Sequence, residues 1–502
     1  MMYRFLERSW RVFYGSALDI RQIIKIVIGI IPVGIGFALL VPALYAFFYG
    51  GSAAWIFMYI AAGCFGVSLF SQLFTGIREC DFDKLHHRSA FAIVTFSWLM
   101  AAVIGSLPYY FSGIFPSYVD CFFESMSGFS GTGATVLNDI EGVGKDLLLW
   151  RSMTQLLGGI GVITFFIAIL PTLGINGVHI FRAEITGPQK DKVKPRVGGI
   201  ARTFCTIFAV ILVLVTVVLY CAGLSFYDAV NHAFTAIATG GFSTKNIGVA
   251  AFKNPLSEYV LATAMLVSSI NFGLFYLLLT GRAKKVFFDT ELRWYLAIVT
   301  LVVLLITFFN WRTEYATLSE SFRLSFFTVT STVSSTGFTN VNYLEWGYFP
   351  QLLLFFLMLM GGMSGSTAGG IKCVRVVAAI KLIFKEFKSF LHPSAVLTVR
   401  INQMAVRPDI ADMIWAFIFL YGVVAGIVSA LLTINGLDFT TASTAAVSAL
   451  SNIGPAFGSL GPYGNHAALP ELSKVVLAFA MFIGRLEFFT ALIILTPAYW
   501  RK

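Results

Sequence analysis

Four short strings in this 502-residue chain are better suited to backbone chemistry than to side-chain chemistry. They read Ser130-Gly131-Thr132-Gly133-Ala134-Thr135, Ala238-Thr239-Gly240-Gly241-Phe242-Ser243, Ser334-Ser335-Thr336-Gly337-Phe338-Thr339 and Ser451-Asn452-Ile453-Gly454-Pro455-Ala456. Aligned on Gly133, Gly241, Gly337 and Gly454, they lie 108, 96 and 117 residues apart. Glycine tolerates positive φ, so consecutive carbonyls can face one way with no side chain intruding. Four such turns around an axis could offer a ring of carbonyls that replaces the hydration shell of a monovalent cation. Magnesium or calcium would call for carboxylates, and no turn contains one. One turn alone reads equally well as an ordinary glycine loop; four in equivalent slots of a repeat argue for a pore. The candidate ion-binding positions are Thr132, Gly133, Thr239, Gly240, Gly241, Thr336, Gly337, Asn452, Ile453 and Gly454.

Two further features could control passage. Between 361 and 370 stand Gly361, Gly362, Met363, Ser364, Gly365, Ser366, Thr367, Ala368, Gly369 and Gly370, five glycines and three hydroxyl residues within an apolar run. Each glycine costs a helix roughly 1 kcal/mol relative to alanine. Irregular backbone at membrane depth persists only where protein or a watery cavity satisfies it. The stretch is expected to form a movable loop beneath the turns; close helix packing through small residues is the competing reading. Arg485 is 11 residues from Lys474 and 11 from Thr496, in mid-run. An intramembrane arginine costs at least about 2.5–3.5 kcal/mol to insert and normally faces a wet interior. Its functional reading is a positive charge in the ion path; the competing one is a buried pair with an acid elsewhere. Glu487, at i+2, does not lie beside it on a helix.

The elements that must position these residues are membrane helices. Of the 502 residues, 57% are hydrophobic and 12% charged, against roughly 25% charged in globular proteins. That excludes a cytosolic enzyme or nucleic-acid binder, and an apolar-rich chain is not disordered. A crossing helix needs about 20 apolar residues. Ten runs qualify: 22–48, 53–76, 90–111, 147–171, 203–223, 258–281, 292–310, 350–382, 410–434 and 472–496. Four shorter segments, near 119–131, 228–239, 320–335 and 439–452, read as re-entrant half-helices or as surface loops. With both termini cytoplasmic, 27 of the 35 basic residues fall inside, among them Arg4, Arg78, Lys84, Arg182, Lys190 and Arg501; the reverse orientation breaks the positive-inside rule. All four short segments then face outward, and the run 23–49 is a retained first helix, too long for a signal-peptide core.

Each unit is a span, a short outward-facing helix, a glycine turn and a span. The fold expected is an all-α polytopic membrane protein of about ten transmembrane helices, with four such repeats around a central pore plus two extra N-terminal helices. The boundaries are 1–80 for the leading helices, then 81–200, 201–285, 286–400 and 401–502 for the repeats. The six cysteines are scattered and read as small apolar packing residues. Twelve acids fall outside; they could concentrate cations at the mouth or simply face water. His232 reads as a satisfied packing residue rather than a ligand.

These turns, with 361–372 and 484–487, resemble the Trk/Ktr/HKT superfamily of potassium transporters over residues 20–502. The two extra N-terminal helices are similar to the plan of the bacterial Trk-type membrane subunit. The resemblance implies four M1–P–M2 units akin to potassium-channel subunits, and Gly133, Gly241, Gly337 and Gly454 as filter glycines. It implies a gate from the intramembrane loop, at Gly361, Gly362, Ser364, Gly365, Ser366, Gly369 and Gly370, with Arg485 in or near the ion path. In plant relatives a serine in the first turn accompanies sodium transport, so Gly133 points to potassium. The fourth turn, Asn452-Ile453-Gly454-Pro455, departs most from the family's TVGYG-like string. The resemblance further implies potassium as the bound substrate, a homodimer, a cytosolic nucleotide-binding regulatory subunit, and placement in the bacterial inner membrane.

No P-loop or dinucleotide fingerprint occurs, so no cofactor is expected in this chain, and the basic inner loops 182–202 and 372–407 could contact anionic lipid or dock a regulator. The competing function is a sodium-coupled secondary transporter of a small organic solute, which would also use broken helices but usually inverted repeats. A scaffold or receptor would leave Arg485 and the aligned glycines unexplained.

Overall fold

The computed structural model describes residues 20–75, 87–173, 197–395, 397–402 and 404–500. The expectations for Arg4, Arg8 and Arg11, for Arg78, Lys84 and Cys80, for most of the basic loop 182–202, and for Arg501 and Lys502 lie outside the described residues.

The chain divides into two compact units, one comprising 1–126, 143–150 and 486–502, the other 127–142 and 151–485. In the first unit the helix Ile31–Tyr49, entered through a π-helical turn at Lys25–Ile30, packs on Ala54–Thr75 and His87–Ser112. Leu39, Ala43 and Ala46 form its buried stripe, while Phe37, Leu44 and Phe47 stay exposed on the far side, as befits a helix with lipid on one face. Asp146 anchors this unit: its carboxylate accepts from the Ala53 and Leu147 amides at 3.1 and 3.0 Å. Trp150 donates through Nε1 to Gly105 O at 3.1 Å.

The second unit holds the glycine turns and the glycine-rich loop. Its two β-strands, Arg400–Ile401 and Met404–Ala405, form only a small antiparallel ribbon pairing Arg400 with Ala405. Its other described regular elements are helices. Its apolar cores include one that gathers Tyr295, Ile306, Leu354 and Met363 and another with Phe208, Leu261, Met265 and Phe272.

Six described helices are long and apolar enough to cross a bilayer: Gln22–Tyr49, Ala54–Leu73, Arg88–Ser112, Ala201–Cys221, Thr290–Thr313 and Pro408–Ile434. The other four expected spans divide differently. Lys145–Leu173 is one helix of 29 residues. The run 350–382 is interrupted as expected: Tyr348–Met360 stops at Gly361, whose φ is +68°, and helix resumes at Cys373. The runs 258–281 and 472–496 were expected to be continuous, and both are broken.

The break in the first of these separates Pro255–Ser268 from Phe272–Leu279 by a bend of 92°. Its cause is a change of hydrogen-bond partner. Asn271 caps the new helix by accepting from Gly273 N at 2.8 Å, and the Phe272 amide turns to Gly365 O at 3.1 Å. Ser269 O in turn accepts from Met363 N at 3.0 Å. The backbone groups freed by the break are therefore satisfied by the glycine-rich loop, as apolar surroundings require. In the second, helix Glu471–Arg485 ends where Glu487 and Phe488 take left-handed φ of +53°, and a short helix begins at Phe489.

The four short segments are all helices, Tyr118–Ser130, Phe226–Ile237, Leu318–Val333 and Phe439–Ser451. Each starts at a residue whose side-chain oxygen accepts from a backbone amide of the first turn: Ser117 from Asp120, Ser225 from Asp228, Thr317 from Glu320 and Asp438 from Thr441. The five described cysteines are free: Cys64, Cys121 and Cys373 are buried in packing, Cys205 is half-buried and Cys221 exposed.

Candidate functional site

The four glycine turns share one backbone geometry despite their different sequences. In each, an amide reaches back five residues to close the short helix: Thr132 N to Ser127 O (2.9 Å), Gly240 N to Thr235 O (2.8 Å), Thr336 N to Ser331 O (3.0 Å) and Ile453 N to Ser448 O (3.0 Å). This is the six-to-one closure of a Schellman end, which needs a left-handed residue just before. That residue is Gly131, Thr239, Ser335 or Asn452, with φ of +67°, +53°, +56° and +54°.

The next glycine is left-handed again, at φ +80° for Gly133, +79° for Gly241, +79° for Gly337 and +98° for Gly454. Here the need for glycine is also spatial. A Cβ on Gly133 would lie well inside 3 Å of Gly240 O, one on Gly241 inside 3 Å of Thr336 O, and one on Gly337 inside 3 Å of Ile453 O; on Gly454 it would be 2.5 Å from Thr132 O. Each turn thus abuts the next in chain order, and the fourth returns to the first. The ring is closed. It sets four equivalent carbonyls, of Thr132, Gly240, Thr336 and Ile453, one residue before each glycine. Four helix C-termini end at this ring, and the partial negative charge of a helix C-terminus favours a cation.

Above the ring lies a cavity of about 230 Å³ lined by all four glycines together with Thr135, Arg151, Ser243, Lys245, Asn246 and His466, among others. Its basic residues are engaged. Arg151 donates to Thr135 Oγ1 at 3.2 Å and Ser243 O at 3.3 Å and lies over the Phe242 ring, and Lys245 pairs with Glu141 at 3.3 Å. The acids placed outside, read either as concentrating cations at the mouth or as a solvated face, are in part buried. Glu258 pairs with Arg323 at 2.8 Å and accepts from Asn340 at 3.0 Å, while Asp120, Glu124 and Asp146 are buried. His232 is the packing residue expected, its ring nitrogens 2.8 Å from Asp228 O and 3.0 Å from Ser243 Oγ.

The glycine-rich loop lies against turns three and four and the helix end that leads into turn two. Gly369 N donates to Ser335 Oγ at 2.6 Å, and Thr367 Oγ1 donates to Ile237 O at 3.2 Å and Ser268 O at 3.3 Å. A Cβ on Gly369 would strike Ser451 O. Lys372 Nζ donates to Ala368 O, stiffening the tip. Gly361 and Gly370 meet each other at the neck, where a Cβ on Gly370 would be 2.9 Å from Gly361 Cα. Arg485 completes the group: Nη1 donates to Thr367 O at 2.8 Å, and Nη2 lies 3.2 Å from where a Gly131 Cβ would be. It is buried, and its Nε and Nη2 have no hydrogen-bond partner among the described residues. The buried pair with an acid is not formed among the described residues.

All the expected residues of turns, loop and arginine are thus brought together: Thr132, Thr239, Thr336, Asn452 and Ile453 in the turns, and Gly362, Ser364, Gly365 and Ser366 in the body of the loop. Sequence reasoning missed what braces them. Glu291, buried at the start of Thr290–Thr313, accepts from Ser364 N (2.7 Å), Ser364 Oγ (2.9 Å) and Val374 N (3.1 Å). Asn271 packs against Gly365, where a Cβ would be 2.9 Å from Oδ1. Gln155, fully buried, grips the second turn. A lone acid in a helix's first turn passes for an ordinary cap, but a glutamine inside an apolar run is a readable signal. No group of three or more His, Cys, Asp or Glu could hold a metal ion among the described residues.

Residues 60–502 match the family described as TrkH, cation transport protein. The Trk system potassium uptake protein TrkH of Escherichia coli (strain K12) is 33% identical over 492 residues, covering 97% of this chain and 100% of that protein. TrkG of the same strain, also a Trk system potassium uptake protein, is 30% identical over 473 residues, covering 93% and 96%. The crystal structure of the potassium transporter TrkH from Vibrio parahaemolyticus superimposes with a TM-score of 0.88 at 30% identity, covering 96% of this chain and 100% of that one. With a matching fold, near-complete coverage and the family's span of 443 positions from 60 to 502, this chain belongs to the TrkH cation transport protein family.

Proposed function

We propose that this chain takes up potassium across a bacterial inner membrane by a channel-like route, as the bound and transported ion rather than a resident cofactor. The observation that carries the reading is the closed ring of four left-handed glycines beneath an outer cavity. An ion entering from that cavity sheds water against the carbonyls of Thr132, Gly240, Thr336 and Ile453, which carry no formal charge and release it readily. The carbonyls of Gly133, Gly241, Gly337 and Gly454 and of the left-handed residues before the ring extend the path. Each M1–P–M2 unit, by the boundaries given above, contributes one turn.

Below the ring, the loop tip Thr367–Gly369 and the Arg485 guanidinium form the gate. A buried positive charge with two unpartnered nitrogens repels a cation and gives it no ligand. Transport then requires Arg485 and the loop to move together, since they share the Thr367 carbonyl. Exposed lysines on the inner part of Cys373–Leu391, such as Lys385, fit docking of a nucleotide-binding regulatory subunit beneath a homodimer, with both termini cytoplasmic. The outer cavity of about 230 Å³ is below the ~300 Å³ at which small-molecule pockets begin, which disfavours an organic solute.

The test is rubidium or potassium flux into liposomes holding the purified chain, competed with sodium. Potassium-selective flux that Gly337→Asp abolishes is the expected result. Flux unaltered by that substitution overturns the assignment of the ring.

A further inference from the structure

The second turn differs from the other three at two positions at once. In turns one and three a serine hydroxyl pairs with a threonine hydroxyl, Ser130 with Thr132 and Ser334 with Thr336, each at 2.7 Å. Turn four keeps the serine, Ser451, and carries the bulky Ile453. Turn two has Ala238 and Gly240 in these places. It therefore lacks both the hydroxyl pair and any side chain behind its ring carbonyl, a hole that close packing does not leave empty.

The hole is filled from another helix. A Cβ built on Gly240 would fall on the amide of Gln155, which projects from Lys145–Leu173 and is fully buried. That amide makes two hydrogen bonds, both to turn two: Nε2 donates to Gly240 O at 2.5 Å, and Oε1 accepts from Phe242 N at 3.1 Å. A flipped amide would set donor against donor and acceptor against acceptor, so the network fixes its orientation. The same face of the helix holds the turn above and below. Arg151, one turn earlier, donates to Ser243 O and covers the Phe242 ring at 4.1 Å. Gly159, one turn later, lets Ala238 approach so closely that a Cβ on Gly159 would be 2.9 Å from the Ala238 methyl.

We propose that Gln155 is a positioning residue for the ion path, supplying in trans the side chain that Gly240 lacks and so setting how well the second turn discriminates potassium from sodium. The inference rests on the reading of the four turns as the filter. Gly240 O is one of the four ring carbonyls, and Gln155 is its only side-chain donor among the hydrogen bonds of the described residues. Without that donor the carbonyl can tilt toward a smaller ion, and the Phe242 amide loses its acceptor.

The experiment is the ratio of potassium to sodium flux in liposomes for Gln155→Met, Gln155→Ala, Gly240→Thr and the double variant Gln155→Ala/Gly240→Thr, with folding followed by size-exclusion elution. Gln155→Met keeps the volume and loses both hydrogen bonds; its ratio is expected to fall about tenfold, the worth of one buried hydrogen bond. Gly240→Thr alone collides with the amide and loses flux, whereas in the double variant the threonine occupies the vacated space and recovers most of the ratio lost in Gln155→Ala. A wild-type ratio in Gln155→Met, or no recovery in a folded double variant, overturns the inference. Gly337→Ala, which does not touch Gln155, separates the two levels. Wild-type flux and ratio there mean that the filter reading has failed; loss there with a wild-type Gln155→Met removes only the role given to Gln155.

Discussion

The ring of glycine turns and the glycine-rich loop beneath it use the same residue for different ends. In the ring, each glycine is fixed by the carbonyl of the next turn, backbone against backbone, with Schellman closures behind it. Nothing in that arrangement can be released singly. In the loop, glycines at 361, 365 and 370 again take left-handed φ of +68°, +73° and +81°, but side chains share the hold: Glu291 on Ser364, Asn271 against Gly365, Ser335 of the third turn on Gly369 and Arg485 on Thr367. Each of those contacts can break without unfolding its own helix. Dense glycine thus makes a rigid element when the partners are backbone and a releasable one when they are side chains.

The comparison breaks most visibly at the ring. Alanine at Gly133, Gly241 or Gly337 adds left-handed strain of roughly 1–2 kcal/mol and displaces a neighbouring carbonyl. Rubidium flux should fall ~100-fold or more, as misplacement by about 1 Å does in other tuned sites. Gly454→Ala, with 2.5 Å of approach where the others have less, should be the mildest of the four. Equal, modest losses at all four would mean that the ring tolerates what its geometry forbids.

At the loop the sign reverses. Removing the guanidinium in Arg485→Ala should raise flux through the isolated subunit about thirtyfold, corresponding to relief of roughly 2 kcal/mol of repulsion. Glu291→Gln keeps the side chain's shape but gives up charge-assisted hydrogen bonds to Ser364 and Val374, and should raise flux about fivefold. Both are read in the same liposome assay. A loss of flux in either folded variant would place the loop with the ring, as a rigid part of the path.

How far this was legible in the chain follows the same division. The turns could be read because their geometry needs glycine at fixed offsets, and the loop because glycine density is incompatible with a helix. The break after Ser268 could not be read. Ser269-Ile270-Asn271 sits in an apolar run that a helix would tolerate, and the groups that break it, Gly365 O and Met363 N, come from a distant part of the chain. Glu291 was hidden likewise, since its three donors are assembled only by folding. Of the ten expected spans only 350–382 was expected to be interrupted, yet 258–281 and 472–496 proved broken as well; the first of these shows that periodicity reports what a segment can do, and tertiary partners decide what it does.

One place on the outer rim of the ring depends on a titratable side chain, and it gives the smallest and most specific test. His466 is buried, and its amide donates to Thr135 O at 2.8 Å, tying the segment after turn four to the one after turn one. Burial pushes its imidazole down to about 4, opposed by a hydrogen bond between the ring and the Thr135 backbone and helped by the Lys474 charge. The folded state therefore keeps His466 neutral at pH values where a detached segment, with the ordinary value of 6.5, would take up a proton. Stability of this tie is present above about 6.5 and declines as pH falls toward about 4. Once the base-catalysed intrinsic rate is divided out, protection of the amides over 461–469 should fall between pH 7 and pH 5 in the native chain and lose that dependence in His466→Gln, while protection of the four turns stays unchanged. Flux should alter less than about twofold, because the ring's own contacts carry no proton. If the turns loosen in step with this segment, the rim and the ring are one cooperative element, and the rigidity assigned to backbone contacts is borrowed from a side chain.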